Sequence, residues 1–502
     1  NAFHYLLILL ITKFKLLIPG TRNGLNEILG SLILRELNIL SPETFEVNTK
    51  INNVENIMLF QEISAKELLE KQKRREGPLF EGDESILWTH KGKFKDFKLE
   101  NISLSRMINQ KWFKRGSSSE KISLRAYDQI QNAYLNYSQE IEKRKKIFIS
   151  PNNNDYLFNN FFLILASMNG LHALRPHNRQ YYFNVFLNDF EPIYYDGNLD
   201  LNMKFTLDQS LLKLINRYSI DHKHLNKLND IKVSNEILEK FKKRVLIDED
   251  KANKFFKSSI KNIISNYKSI TSELFKSKKY IFLKKNYKEQ INKLKNSQNK
   301  HKINQLIITD LIKIKSKGYV AKTLDNDQIN LTVDDVSELI SRNKINKERS
   351  VYIKNINKKQ PEFVKINKFL NENNSEIIYS RSLEISIDEN LKNIIFRQTK
   401  ITDWVLIKNS NLINWNIIFI GANPIDSKKI KDNSQRFNSY GMTGCLNFYN
   451  VYFKNTSLKA SNGNCEDAIN IVNSKGNLNL IDIKDAKADA IDIDFSQINV
   501  AN

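Results

Sequence analysis

Between Leu25 and Leu40 the apolar residues Ile28, Leu29, Leu32, Ile33 and Leu37 recur three and four positions apart. That is the spacing of one helical face, and Ser41-Pro42 stops the run. Two short extended runs follow, Thr44 to Ile51 and Ile57 to Gln61, and then a second helical stretch from Ala65 to Lys73. Farther on, Tyr156 to Met168 reads as a strongly apolar helix that leads into a loop containing His and Arg, Gly170 to Arg179. Tyr181 to Phe186 and Pro192 to Tyr195 read as strands, the second ending at Asp196-Gly197. The first half is therefore expected to be a mixed α/β domain. The apolar run Tyr5 to Ile11 is shorter than the ~20 residues of a membrane span, and Lys13 and Lys15 interrupt its continuation. It reads as a buried strand, with the core of a signal peptide as the other reading. The chain opens on Asn rather than Met, so its true start is expected to be missing.

From about residue 226 to 300 the pattern turns basic and helical. Phe256, Ile260, Ile263, Ile264, Tyr267 and Leu274 mark one face of lysine-rich helices, expected to form a solvated connector, with a basic surface helix that meets an acidic partner as the other reading. Residues 301 to 375 alternate apolar pairs with Lys and Asn and carry a small α/β insertion around Leu331 to Ile345, with no function assigned. The last part repeats. Leu383 and Ile385 recur as Val405 and Ile407, then Leu446 and Phe448, then Ile469 and Ile471, then Ile491 and Ile493, in steps of 22, 41, 23 and 22 residues. The doubled step holds the polar excursion Gly421 to Tyr440. Strand-like units at a period of about 20–50 residues are a solenoid signature, because each unit needs neighbours to bury its apolar side. The expected fold class is thus multidomain α+β. An α/β domain covers 1–225, a basic helical connector 226–300, a mixed insertion or linker 301–375, and a C-terminal right-handed parallel β-helix 376–502.

Composition adjusts this picture in two places. The chain carries 78 Lys and Arg against 56 Asp and Glu, a formal net charge of +22. Attraction to polyanions follows physically, but the lysines are spread out rather than gathered on one motif with interleaved aromatics. That argues against a nucleic-acid partner. Only Cys445 and Cys465 occur, so no disulfide framework is expected, and the two read as buried inert thiols. Low cysteine makes a reducing, cytoplasmic setting the default, with cell surface or secretion the alternative if a signal peptide belongs to the missing start.

The stretch richest in chemistry is Asn169 to Asn178 together with the strand end at Asp196. Phosphoryl transfer needs little covalent help but must hold metal ions against phosphates, and protein kinases do so with a catalytic-loop Asn and an Asp that ends a later strand. Asn178 and Asp196 stand in that relation, and Asp200 is a candidate second acidic ligand for a hard cation. An Asp-Gly pair between apolar strands is also an ordinary turn. In the C-terminal part, Asp467, Asp489, Asp492 and Asp494 form an acidic group that would suit a glycosidase carboxylate pair, or simply stack at corners.

Several segments, in order, resemble the spore-coat CotH-type family, whose members have an atypical protein-kinase-like fold. Lys15-Leu-Leu-Ile-Pro-Gly-Thr-Arg-Asn-Gly24 and Asn26-Glu-Ile look like its amino-terminal lobe. Leu37 to Pro42 looks like its helix end, and Met58 to Glu62 like the strand leading to the lobe connection. His177-Asn178-Arg-Gln-Tyr-Tyr182 and Pro192-Ile-Tyr-Tyr-Asp196 are similar to its catalytic-loop Asn-Tyr-Tyr and later Pro-x-Asp strand. The resemblance implies a kinase-like first domain that handles ATP and Mg²⁺, with Asn178 and Asp196 as metal ligands. It implies Lys15 on the nucleotide phosphates and Glu27 or Glu36 orienting that lysine, with Glu62 on the same nucleotide side. One departure stands out: no carboxylate lies anywhere from Asn169 to Asn178, where the family has its catalytic Asp. His172 and His177 are the remaining candidates for the base. The resulting expectation is ATP- and Mg-dependent phosphotransfer or nucleotide binding, with a polysaccharide or protein surface as acceptor or partner. The alternatives are a catalytically silent binding or surface-assembly protein and a carbohydrate-active enzyme.

Overall fold

The computed structural model describes residues 11–85, 88, 104–142, 156–205, 223–276, 287–301, 305–314, 318–354, 363–370, 373–422 and 436–501. The Tyr5–Ile11 run lies outside them except for Ile11, which is buried. The chain divides into two compact units, the first comprising Asn1–Phe113 and Ser123–Asn355, the second Lys114–Ile122 and Ile356–Asn502.

In the first unit, alternating apolar residues build an antiparallel hairpin from β2 (Thr44–Ile51) and β3 (Val54–Glu62). Asn52 and Asn53 turn it with φ of 50° and 66°, a conformation asparagine tolerates better than most residues. The short β1 (Phe14–Leu17) adds to the other edge of β3, giving the order β1-β3-β2. The helix Gly24–Glu36 packs on β2 and buries Ile28, Leu29, Leu32 and Ile33. A second antiparallel sheet, ordered β5-β4-β6-β7, joins β4 (Leu79–Gly82), β5 (Ser105–Met107), β6 (Gln180–Asn184) and β7 (Asp189–Ile193). Where β7 ends, the Tyr194 N–H donates to the Leu40 carbonyl at 2.8 Å, which ties the second sheet to the exit of the Gly24–Glu36 helix.

The basic helices are packed rather than solvated. Helix Glu249–Lys276 lies on Tyr156–Ser167, and its Phe256, Ile260, Ile263, Tyr267 and Leu274 are almost fully buried. Residues 305–354 form a sheet ordered β10-β9-β8-β12-β11, from β8 (Leu306–Ile314), β9 (Gly318–Thr323), β10 (Gln328–Leu331), β11 (Lys344–Ile345) and β12 (Glu348–Tyr352). Helix Val333–Arg342 starts at a reciprocal cap, in which Thr332 and Asp335 each accept from the other's backbone N–H. The buried Asn343 donates to Asp83 and to the Ser105 carbonyl, both at 2.9 Å, and so fastens this layer beside β4 and β5.

The second unit corrects the expected fold class. Its strands form one eleven-stranded mixed sheet that begins with antiparallel neighbours. β13 (Phe363–Leu370) pairs antiparallel with β14 (Asn373–Ser380), β14 with β17 (Val405–Ile413), and β15 (Glu384–Asp388) with β16 (Asn393–Arg397). Parallel pairing is confined to β16, β17, β18 (Asn416–Ile420), β19 (Gly444–Ser461), β20 (Asp467–Val472), β21 (Lys475–Lys484), β22 (Asp489–Asp494) and β23 (Gln497–Val500). There Leu446 faces Ile469, which faces Ile491, and Phe448 faces Ile471, which faces Ile493. The first step of the apparent repeat does not stack, since Leu383 and Ile385 belong to the β15 end of the sheet and Val405 and Ile407 lie on β17. Over the described strands as a whole antiparallel pairing predominates, the sheets curl as half-barrels, and a right-handed parallel β-helix is not what they form. The physical reason is that period-two alternation buries one face of a strand whichever way its neighbour runs.

Cysteine pairing is the second correction. Cys445 and Cys465 are joined by a disulfide, with Cys445 fully buried in the apolar interior of the sheet. Cross-links of this kind persist in oxidising surroundings, which removes the ground for a reducing setting. Closing a loop of 20 residues is worth about 3 kcal/mol in the chain-entropy picture. Replacing both cysteines by Ala is expected to lower the unfolding free energy of the second unit by that amount, read from its denaturant midpoint and slope. Adding reductant should do the same to the unmodified chain and nothing further to the variant. A variant as stable as the parent would show that the bond constrains nothing.

No helix among the described residues is long and apolar enough to cross a membrane.

Candidate functional site

Six side chains from distant parts of the first unit meet where β1, the turn after it, the loop before β6 and the end of β7 come together. Pairing of β1 with β3 sets Lys15 opposite Gln61 and fixes the direction of the lysine. Its Nζ donates to the Tyr195 hydroxyl at 2.9 Å, 180 positions away, and lies 5.0 Å from the centre of that ring. Arg22, in the one-turn 3₁₀ segment Pro19–Arg22, pairs with the Asp196 carboxylate and reaches over the same Tyr195 ring. The next residue, Asn23, takes the left-handed conformation at φ 52° and donates to Asn198 and to the Leu199 carbonyl. The segment after β1 is thus clamped onto the segment after β7. Asp196 itself has φ 50°, so the chain turns sharply at the carboxylate.

On the other side, His172 reaches Asp196, and Asn178 in turn reaches His172. The Nδ1 of His172 lies 2.8 Å from the Asp196 carbonyl oxygen and 3.6 Å from its carboxylate. The same Nδ1 lies 3.0 Å from the Asn178 amide nitrogen, which can only donate whereas the carbonyl can only accept, so its two neighbours ask for opposite tautomers. The buried Asn178 directs its amide nitrogen to the His172 carbonyl at 3.1 Å. Burial first, and then the charges of Arg175 and Arg22, pull the His172 imidazole below its ordinary value, so the ring is neutral at pH 7. Glycine makes this loop placement feasible: a Cβ on Gly82 of β4 would collide with the Pro176 carbonyl and the His177 backbone. His177 has its Nδ1 buried without a hydrogen-bond partner, and burial leads the causes that lower its pKa.

The carboxylates proposed to orient Lys15 stand elsewhere. Glu27 is fully buried and accepts from Gln61 Nε2 at 2.8 Å and from the Tyr194 hydroxyl at 2.6 Å. Burial raises its pKa, against the lowering effect of those two hydrogen bonds and of Arg22. It therefore supports the floor of the cluster through Tyr194, the neighbour of Tyr195. Glu36 pairs with Lys240 at 3.0 Å, and Glu62 with Lys71 at 2.8 Å, both apart from the cluster. The Asp200 carboxylate accepts from the Asn202 N–H and closes a local turn.

No family model and no curated protein matches the chain.

Of the residues singled out from sequence, Lys15, His172, Asn178 and Asp196 come together, while Glu36, Glu62 and Asp200 do not join them. Arg22 and Tyr195 were missed. Both lie inside quoted segments, but a cation two residues before a helix and a Tyr before an Asp carry no spacing signal. Among the described residues no group of three or more His, Cys, Asp and Glu side chains is arranged to hold a metal ion. A cation here would need oxygens from an incoming ligand.

Proposed function

We propose that the first unit binds a magnesium nucleotide, ATP or a close relative, at the Lys15–Arg22–His172–Asn178–Asp196 cluster, with slow phosphoryl transfer. The observation that carries the reading is the convergence of two cations with a carboxylate and an amide from segments far apart in the unit's sequence. Lys15 and Arg22 offer a point charge and a planar fork for phosphate oxygens. Asn178 and Asp196 are hard oxygen donors, and Mg²⁺ typically takes one or two carboxylates while phosphates and water complete its shell. Bound there, the cation would neutralise phosphate charge. The protein's own part is to position the phosphates with Lys15 and Arg22, and to present the neutral imidazole of His172 to an acceptor hydroxyl. The order of the CotH-like segments supports the same reading. A silent binding protein is the second reading, favoured by the lack of a carboxylate from Asn169 to Asn178.

Calorimetry with ATP and Mg²⁺ tests the binding. Association is expected for the parent chain and loss of it for Asp196→Asn. Lys15→Ala should weaken it about tenfold or more, the worth of one charge-assisted hydrogen bond. Equal affinity in all three would leave Asp196 as a turn residue and end the proposal.

A further inference from the structure

The second unit contains an open cleft of about 860 Å³ that the nucleotide reading does not use. Its walls come from Ser117, Ser118 and Lys121, from Ser380–Ser382 at the end of β14, the turn Lys400–Trp404 before β17, the segment Arg436–Thr443 before β19, the turn Asn464–Glu466 before β20, and Lys487. The size falls within the ~300–1,000 Å³ range of small-ligand sites.

The turn before β17 is locked from inside. Asp403 is buried, and its carboxylate accepts from the Ser382 hydroxyl and from the backbone N–H groups of Thr399 and Lys400. That carboxylate is fully committed to holding the wall. The other acid in the cleft, Glu466, pairs with Arg436 at 3.2 Å. By contrast Lys400 and Lys487, both exposed, have no carboxylate partner among the described residues, which leaves the cleft with uncompensated positive charge. The apolar part is aromatic: the half-buried Tyr440 ring lies 5.1 Å from Trp404 and 5.5 Å from Phe363, with Phe437 beside it in the wall. Hydroxyl and amide groups of Thr402, Ser439 and Asn464 fill the remainder. The disulfide fixes Cys465 in the same wall, so the turn that carries Asn464 and Glu466 is anchored to the sheet interior.

We infer that this cleft binds an acidic oligosaccharide. A sugar ring has an apolar C–H face for Tyr440 and Phe437, and hydroxyls for the Thr, Ser and Asn groups. Its carboxylates would face Lys400 and Lys487. A neutral sugar leaves the two lysines unused, and a phosphopeptide leaves the aromatic platform and the row of hydroxyls without a matching surface.

The test is calorimetry of the full chain with an oligogalacturonate and with its fully methyl-esterified form. Binding of the acid form is expected, with at least tenfold weaker binding of the ester. The variant Lys400→Ala/Lys487→Ala changes only exposed side chains without ion-pair partners, so it should fold as the parent does, checked by its denaturation midpoint. It should lose at least tenfold in affinity for the acid form and keep its weak affinity for the ester. Tyr440→Ala should weaken both sugars. No binding of the acid form, or equal binding of acid and ester by parent and double variant, would overturn the inference. So would displacement of the bound sugar by an acidic phosphopeptide together with unchanged affinity in Tyr440→Ala.

Discussion

Replacing Arg244 by Met is expected to destabilise the first unit by about 3–5 kcal/mol, the usual cost of removing one partner from a buried ion pair. Arg244 follows the helix Asn235–Lys242 and is itself buried, with Nη2 at 3.2 Å from the Glu43 carboxylate and Nη1 donating to the Lys240 carbonyl. Glu43 is also buried, and Arg35 is its second partner. The Glu43 N–H donates to Glu62, while the Arg244 carbonyl accepts from the Glu46 N–H on β2. One guanidinium therefore fixes the helical layer to the edge of the β1-β3-β2 sheet. Without it, Glu43 keeps its desolvation penalty and loses half of its compensation. Met fills a comparable volume, so the loss reports charge more than cavity.

The pH dependence of that variant has a definite sign. Burial acts first and would raise the Glu43 pKa, but Arg35 and Arg244 outweigh it and hold the carboxyl below its ordinary value of 4.5. The ion pair thus contributes its full stability above about pH 4.5, and that contribution is lost as pH falls through the lowered folded value. Arg244→Met weakens the reason for the lowering, so the gap between parent and variant should narrow on acidification. Adding Glu43→Gln to the variant should recover part of the loss at pH 7. Urea midpoints at pH 7 and pH 4 decide the matter, and a loss under 1 kcal/mol at pH 7 would mean that water reaches the pair.

The early elements were legible because each rests on local physics. Ile28, Leu29, Leu32 and Ile33 announce a helix, and Gly24–Glu36 is one. Thr44 to Ile51 alternates, and it is a strand with those ends. Asn178 and Asp196 were related by a loop asparagine followed by an aspartate that ends a later strand, but no local pattern relates Lys15 to a partner 180 positions away. Arg22 stayed hidden for the same reason. The C-terminal half shows the opposite failure. Spacing of 22 and 23 residues identified which apolar side chains align, as Leu446, Ile469 and Ile491 do, but spacing says nothing of strand direction at β13 to β16. The cysteines lie 20 apart in sequence, and 5.3 Å apart between Cα atoms. The parallel register that sets Gly444 opposite Asp467 and Leu446 opposite Ile469 brings them that close.

His172→Ala is expected to reduce any phosphotransfer by about 10²- to 10⁴-fold while leaving ATP binding nearly unchanged, the range that general-base help commonly supplies. The His172 imidazole is the basic group in the loop before β6 that touches Asp196, with Nδ1 at 2.8 Å from its carbonyl oxygen and 3.6 Å from its carboxylate. His177 has no comparable link to Asp196, since its backbone is pressed under Gly82 and its Nδ1 is buried, so His177→Ala should leave the rate within a few-fold. The lowered His172 pKa fixes the shape of the pH profile: the rate should climb as the ring loses its proton, with a midpoint below the ordinary ~6.5, and be flat from pH 7 upward. A weaker base takes an acceptor proton less readily, which is the ground for proposing slow transfer. A radiolabelled ATP assay on polysaccharide and protein acceptors would compare the parent with His172→Ala, His177→Ala and Asp196→Ala. Asp196→Ala should abolish binding and transfer together, because it removes the carboxylate that meets Arg22 and the cation. If His172→Ala keeps the parental rate and the profile is flat from pH 5 to 7, the histidine only positions Asp196. If ATP binds and no acceptor is labelled by any variant or by the parent, the first unit is a nucleotide-binding module without turnover.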